Sequence, residues 1–329
     1  MFAAFSRRAL LSAVCVGACI AATAVHAQDR FPSRPLTLVV AYPPGGSTDP
    51  VARLLAQHMA KTMGQPVIVE NRPGASGTMG AAYVGRQAPD GYTALFAPNG
   101  VTIHPVTMKK TSGYDVRYDL VPVSLISQGP YVLTVGAQVP VNSVAELISY
   151  AKARPQKLFY GTAGVASPLH LLQEVFNRTA GIDLTHVPYK GNGPMLVGLM
   201  GGEVQVALDT VTSARPLAEA GKLKILAVTS LKRNGALPNV PTLEEAGVKG
   251  LTGGTLWQGV FLPKGTPAPI VAKWNAALLD ALRVPAVAAM LAELGFDAIG
   301  TTPAQLSDRV NQDIALWDGI VKSANIPLD

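Results

Sequence analysis

Apolar residues follow two alternating rhythms along the chain, short unbroken runs and stripes at helical spacing, and this alternation predicts an α/β fold. Leu36 to Tyr42 is an apolar run ended by Pro43-Pro44-Gly45-Gly46, as expected of a buried parallel strand entering a tight turn. Val51, Leu54, Leu55, His58 and Met59 then recur at helical spacing until Gly64, and Val67 to Glu70 reads as the next strand, completing a β-α-β unit. Gly74 to Gly80 turns into a helix expected to reach about Ala88, and Tyr92 to Ala97 forms a third strand. After Leu120 the rhythm predicts strands near 121–127 and 131–136 and a helix from Ser143 through Ala153. Further strands are expected around Leu158, Leu184, Val204 and Lys224, with helices starting near Ser167, Asn192 and Ser213. A last apolar strand around Leu256 to Leu262 precedes helices over about 268–282, 285–294 and 303–322, with no strand pattern after them. Helices without sheet partners of their own must pack back on an existing lobe, so the carboxy-terminal segment is expected to complete the first one.

Residues 1 to 27 break this rhythm. Arg7-Arg8, the apolar stretch Ala9 to Ala24 and the exit Val25-His26-Ala27 read as a secretory signal peptide cut after Ala27. The apolar run is shorter than the roughly 20 residues of a spanning helix. The twin arginines leave open which export route is used, and Cys19 lacks the polar tether that follows a lipidation site. Both cysteines, Cys15 and Cys19, fall in this leader, so the mature chain is expected to have no disulfide, thiolate nucleophile or Cys-ligated metal. His58, His104, His170 and His186 lack the close spacing of a helix-borne zinc site. The formal charge of +6 includes Arg7 and Arg8, and the basic residues outside the leader form no run longer than a pair such as Lys109-Lys110. The electrostatic footprint of a nucleic-acid binder is therefore missing.

Candidate chemistry lies at strand-to-helix turns. In Pro43 to Pro50, glycines let successive N–H groups point one way and a helix start adds partial positive charge, which together make an anion site. Asp49 reads as an N-cap with Pro50 at the first helical position, while Gly46, Ser47 and Thr48 are either turn residues or ligand donors. Gly161 to His170 repeats the arrangement, with Ser167 as a cap before Pro168. His170 is either packed or a pocket residue, and Asp209, ending an apolar strand, either orients a donor, binds a ligand hydroxyl or amine, or serves a turn. A hydrolytic triad of Ser167, His170 and Asp209 is disfavoured because no G-x-S-x-G elbow is present and Ser167 is occupied as a cap. No Gly-Lys-Ser/Thr follows the first loop, and Gly191-x-Gly193 lacks a third glycine, so neither a P-loop nor a dinucleotide fingerprint is present.

Several ordered segments carry a family likeness: Phe31-Pro-Ser-Arg-Pro-Leu-Thr-Leu-Val-Val, Pro43-Pro-Gly-Gly-Ser-Thr-Asp49, Val69-Glu-Asn-Arg-Pro-Gly-Ala75, Pro89-Asp-Gly-Tyr92, Val187-Pro-Tyr-Lys-Gly191, Gly221-Lys-Leu-Lys, Leu226-Ala-Val-Thr-Ser230 and Pro238-Asn-Val-Pro-Thr242. Together they resemble the Bug-type solute-binding receptors of tripartite tricarboxylate transporters over essentially the whole mature chain. The resemblance implies a two-lobed periplasmic binding protein of type II, α/β in class, with a hinge of two crossing strands that closes on a small organic carboxylate. It implies delivery to membrane permease subunits, periplasmic location, a monomer, no cofactor and no enzymatic activity. Lobe 1 is expected at 28–129 and 255–329, and lobe 2 at 130–254. Carried over by position, the ligand walls are Tyr42, Gly45, Gly46, Ser47 and Thr48 with Ala75, Ser76 and Thr78 on the first lobe. Thr162, Ala163, Gly164, Val165, Ser167, Tyr189 and Asp209 face them from the second. Val165 stands where relatives commonly carry Gly or a polar residue, which points to a ligand with an apolar or aromatic body, and Pro50 replaces a usual apolar helix residue. Trp257 and Trp274 are expected in the core. The rival readings are an exported α/β hydrolase or isomerase, and a ligand-sensing co-receptor for a signalling protein.

Overall fold

The computed structural model describes residues 31–44, 47–108, 111–165, 167–249, 251 and 254–324, and every element below belongs to the compact unit that starts at Pro35. The leader expected at 1–27, and the loop glycines Gly45 and Gly46, lie outside the described residues.

β1 (Leu36–Val40) is apolar throughout and pairs in parallel with β2 (Val67–Asn71) and β3 (Thr93–Pro98). Between β1 and β2 runs α1 (Thr48–Met63), which ends where Gly64 turns left-handed at φ 71° and its N–H closes on the Ala60 carbonyl. α2 (Thr78–Gly85) follows a single 3-10 turn at Ala75–Gly77 and stops three residues short of the expected Ala88. α3 (Gly100–Thr107) and α4 (Val116–Asp119) were not foreshadowed by the pattern; every residue of α3 is buried, so it has no polar face to give a helical period.

β4 (Leu120–Gly136) replaces the two strands expected near 121–127 and 131–136 with one continuous strand. Its first part, Leu120 to Pro130, pairs antiparallel with β9 (Thr255–Pro263), and its second part, from Tyr131, pairs with β7 (Val206–Thr210) and β8 (Leu223–Val228). Gly129-Pro130, in the gap between the two expected strands, is where the strand changes partners. A Cβ at Gly129 would stand 2.5 Å from the Gly295 carbonyl oxygen, so only glycine allows that chain to pass. Around this crossing stand two ladders: β1, β2 and β3 with β9, and β7 with β5 (Phe159–Thr162) and β6 (Thr185–Pro188). Helices α5 (Val144–Lys152), α6 (Pro168–Ala180), α7 (Asn192–Gly201) and α8 (Val211–Glu219) accompany the second ladder. α8 starts two residues before the expected Ser213 because Thr210 caps it, accepting the Ser213 amide proton.

The carboxy-terminal helices α9 (Ala268–Leu282), α10 (Pro285–Glu293) and α11 (Pro303–Ala324) return to the first ladder. α9 packs on α1 and β4 through Val271, Trp274, Leu278 and Ala281, and the Trp274 indole donates to the Gly91 carbonyl at 2.9 Å. A short strand interrupts the run of helices, β10 (Asp297–Ala298), which pairs with β4 at Ser127 and Gln128. Burial of side chains such as these contributes about 1.5–3 kcal/mol each. Among the described residues no single helix is long and apolar enough to cross a membrane, and no cluster of three His, Cys, Asp or Glu side chains is placed to hold a metal.

Candidate functional site

Each loop singled out in the sequence leaves the carboxyl end of a parallel strand and leads into a helix or a helical turn. β1 feeds α1, β2 feeds the 3-10 turn and α2, β5 feeds α6, β6 feeds α7 and β7 feeds α8. The first-turn amides of these helices have no partners within the helix, and each start carries partial positive charge, so both carboxyl edges suit an anion.

On the first edge, Asp49 is not the cap that the sequence suggests. α1 begins two residues earlier than a cap there would allow, with Ser47 in the cap position and making no side-chain capping bond. Pro50 is tolerated as the third helical residue because an N–H there has no intrahelical acceptor to miss. Asp49 instead accepts from Asn71 Nδ2 at 2.9 Å and from Arg53 Nε at 3.0 Å, and Asn71 also donates to the Tyr42 carbonyl at 3.1 Å. Asn71 thereby ties the end of β2 to both ends of the first loop. Thr48 is buried and accepts from Gln258 Nε2 at 3.3 Å, while Gln258 Oε1 accepts from Ser127 Oγ at 3.1 Å, so the loop is anchored to both crossing strands. Ser47 is half-buried.

Tyr42 turns its ring inward. A Cβ at Gly77, whose φ is 98°, would stand 3.0 Å from that ring, and one at Gly100 would stand 3.0 Å from its hydroxyl. Burial pushes its phenol up to about 12. Ala75 is exposed and adopts φ 44°, and its carbonyl accepts the Thr78 hydroxyl at 3.0 Å, so Thr78 shapes the turn with its side chain. Ser76 sits in the 3-10 turn, with its side chain outside the described residues.

On the second edge, Thr162 is fully buried; its hydroxyl donates to the Gly164 carbonyl at 3.1 Å and lies 2.7 Å from His186 Nε2. His186 stacks on His170 with centroids 4.0 Å apart, and Tyr160 stacks on His186 at 4.9 Å. His170 is thus packed beneath the loop. Burial, with His170 alongside, pushes His186 down to about 4, and burial also lowers His170 against the pull of Glu174. Ala163 and Gly164 are half-buried, and Val165 is 58% exposed. Ser167 caps α6 by accepting the His170 amide proton at 3.3 Å, as the sequence implies. Tyr189 runs along α7 to donate to Glu203 Oε2 at 2.9 Å, while its amide donates to the Thr162 carbonyl at 3.0 Å.

Asp209 is fully buried at the end of β7. Its Oδ1 accepts from Asn192 Nδ2 and from the Thr210 amide, the latter at 2.7 Å. Burial raises its carboxyl to about 7 against those two donors. Since Asp209 bonds Asn192 and Thr210, it does not orient His170, and Ser167, His170 and Asp209 form no relay.

The two edges meet at a floor that the sequence reading missed. Tyr131, opposite Thr210 in the ladder, donates its hydroxyl to Asn99 Oδ1 at 3.2 Å, and Asn99 Nδ2 donates to the Thr255 carbonyl at 3.1 Å. Asn99 follows directly on β3, so one side chain joins the first edge to both crossing strands. Thr229 completes the hinge, donating to the Gly254 carbonyl at 2.7 Å and accepting the Tyr131 amide proton at 2.9 Å. Trp257 is fully buried there, donating to Asp313 Oδ2 at 2.6 Å.

Residues 51–326 match a family model described as "Tripartite tricarboxylate transporter family receptor". Protein BugT of Bordetella pertussis is 34% identical over 301 residues, covering 91% of this chain and 92% of its own. The solved structure of Rhodopseudomonas palustris Rpa4515 with adipate superposes with a TM-score of 0.83 at 39% identity, over 90% of this chain and 99% of that one. MatC (Rpa3494) of the same organism, with bound malate, gives 0.79 at 36% identity, over 88% and 100%.

Proposed function

The chain belongs to the receptor family of tripartite tricarboxylate transporters, and from that premise we propose that it captures a small organic carboxylate between two lobes and hands it to membrane permease subunits. The family is one of substrate-binding receptors, and its fold is the two-lobed periplasmic binding protein. The lobes of this proposal are 28–129 with 255–329, and 130–254, in a monomer exported to the periplasm by cleavage after Ala27.

The carrying observation is that helix starts gather on two sheet edges joined by the Tyr131–Asn99 floor. The cations flanking the first edge are already engaged, Arg53 by Asp49 and Arg72 by Glu70. Backbone amides and helix-start charge are therefore the means of holding an anion, at about 0.3–1 kcal/mol per helix where exposed and more where buried. Exposed Val165 on the second edge supports a ligand whose body is apolar.

Thermal-shift screening of the purified receptor against mono-, di-, tri- and aromatic carboxylates tests this. A ligand at a hundredfold its Kd stabilises the folded state by about 2.7 kcal/mol, so one chemical class is expected to raise Tm by several degrees. A folded, ligand-free protein that shifts with no carboxylate would sink the proposal.

A further inference from the structure

Two buried acceptor oxygens on the second edge, one on each member of a hydrogen-bonded pair, have no donor among the described residues. Asp209 Oδ1 is satisfied by Asn192 Nδ2 and the Thr210 amide, yet Asp209 Oδ2 has no hydrogen-bond partner among the described residues. Asn192, the first residue of α7, spends its Nδ2 on that bond and leaves its own buried Oδ1 equally without a donor. An unpaired buried acceptor costs about 1–3 kcal/mol, and more when it is charged, so a stable fold keeps two together only where something else supplies the protons. While Asp209 is ionised the orientation of the Asn192 amide is fixed as well: turned over, its oxygen would face Asp209 Oδ1, acceptor against acceptor.

Where Asp209 is ionised, as at pH 8, a ligand carboxylate cannot complete this pair, because it brings only acceptors and a charge of the same sign. We propose that Asp209 and Asn192 form a donor-selective subsite, which requires the bound acid to carry a hydroxyl or ammonium group in addition to its carboxylate. This rests on the carboxylate-receptor reading and narrows it to hydroxy acids and amino acids. The division of labour follows from the chemistry: helix starts hold the anionic end, and the Asp209–Asn192 pair reads the donor. A site built to hydrogen-bond a substrate OH or NH rejects the analogue lacking it far more strongly than it rejects a change in apolar bulk.

The test is isothermal titration of the purified receptor at pH 8 with two matched series. One is succinate, malate and aspartate; the other is 3-phenylpropionate, phenyllactate and phenylalanine. In the series whose body fits, the hydroxy or amino acid is expected to bind at least tenfold more tightly than the parent acid. Asp209→Asn is expected to narrow that ratio at least tenfold, because a carboxamide has lost the charge and one acceptor. Parent acids that bind as tightly as their hydroxy and amino derivatives overturn the subsite while leaving the receptor reading intact. A variant that weakens all members of a series by the same factor also overturns it, since that marks a structural role. The wild-type comparison decides the matter even if the variant folds poorly. If neither series binds, the comparison passes to the acid selected by thermal shift, paired with its own hydroxy and amino derivatives. If no carboxylate binds at all, the receptor reading fails first and the subsite with it.

Discussion

Arg309→Ala is expected to destabilise the protein by about 3 kcal/mol at neutral pH, a fall in Tm of roughly 5 °C. Arg309 lies on the buried face of α11 and makes three bonds to three elements. Its Nε donates to Asp313 at 2.8 Å, one terminal nitrogen donates to Gln128 Oε1 at 3.0 Å and the other to Thr255 Oγ1 at 3.0 Å. Gln128 and Thr255 sit on β4 and β9 at the crossing, so the guanidinium holds both hinge strands to the last helix. Asp313 is only 5% exposed; burial pushes its carboxyl up, and Arg309 and the Trp257 indole pull it down. Removing the cation leaves a buried carboxylate with the Trp257 indole as its side-chain donor, the situation in which a buried pair costs most to break. A cavity of about 350 Å³ bordered by Arg309, Gln312, Asp313 and Leu316 lets water reach the orphaned carboxylate, which places the loss at the low end of that range. Urea melts of Arg309→Ala and of the double variant Arg309→Ala/Asp313→Asn check the account. The double variant is expected to recover part of the loss because its side chain is neutral. A single-variant loss below 1 kcal/mol, or a double variant less stable than the single, would contradict it.

Local spacing along α11 sets Arg309 and Asp313 one turn apart, but only the fold brings Gln128 and Thr255, 181 and 54 positions away, to the same guanidinium. What sequence does record is whatever depends on neighbours along the chain. The runs of β1 and β9, the stripes of α1 and α9, and the Ser167 and Gly64 caps all follow from local period and local hydrogen bonding, and all are found close to where the pattern puts them. Local reading fails where a contact from far along the chain decides. The pattern breaks β4 into two strands around Gly129-Pro130, but the passing Gly295 carbonyl accounts for Gly129 within a continuous strand that exchanges partners there. Asp49 has the spacing of a cap, yet Asn71, 22 positions on, claims its carboxylate. For the site the same division holds. Asp209 stands out because a carboxylate ending an apolar run is chemically conspicuous, whereas Asn192 marks only a helix start and Asn99 carries no local signal until the fold brings one to Asp209 and the other to Tyr131. Hydroxyl partners are equally hidden from local sequence: the Thr78 hydroxyl serves the Ala75 carbonyl and the Tyr189 hydroxyl serves Glu203.

Buried titratable groups of opposite sign make the stability of the ligand-free receptor depend on pH in a way that Asp209→Asn should expose. His104 is packed among Tyr42, Ala81, Val101 and Tyr114, with its Nδ1 3.1 Å from the Tyr114 hydroxyl, and burial pushes it from 6.5 down to about 4. The unfolded chain takes up this proton near pH 6.5 and the folded one resists until about 4. Its contribution, about 3 kcal/mol, is therefore present above pH 6.5 and lost as pH falls toward 4. His186 acts in the same direction. Asp209 acts oppositely: its carboxyl is raised from 3.8 to about 7, so the stability it contributes is present below pH 3.8 and lost as pH rises through 7, by roughly 4 kcal/mol. In the wild type the aspartate offsets part of the acid-induced loss due to the histidines. Asp209→Asn removes that offset, so its Tm is expected to exceed that of the wild type at pH 8 and to fall more steeply between pH 7 and 4. His104→Gln should flatten the same curve. Parallel Tm profiles for all three proteins would refute the assignment. A gain in ligand-free stability at pH 8 together with a loss of discrimination between donor-bearing and donor-free acids would identify the buried charge of Asp209 as a stability cost retained for ligand recognition.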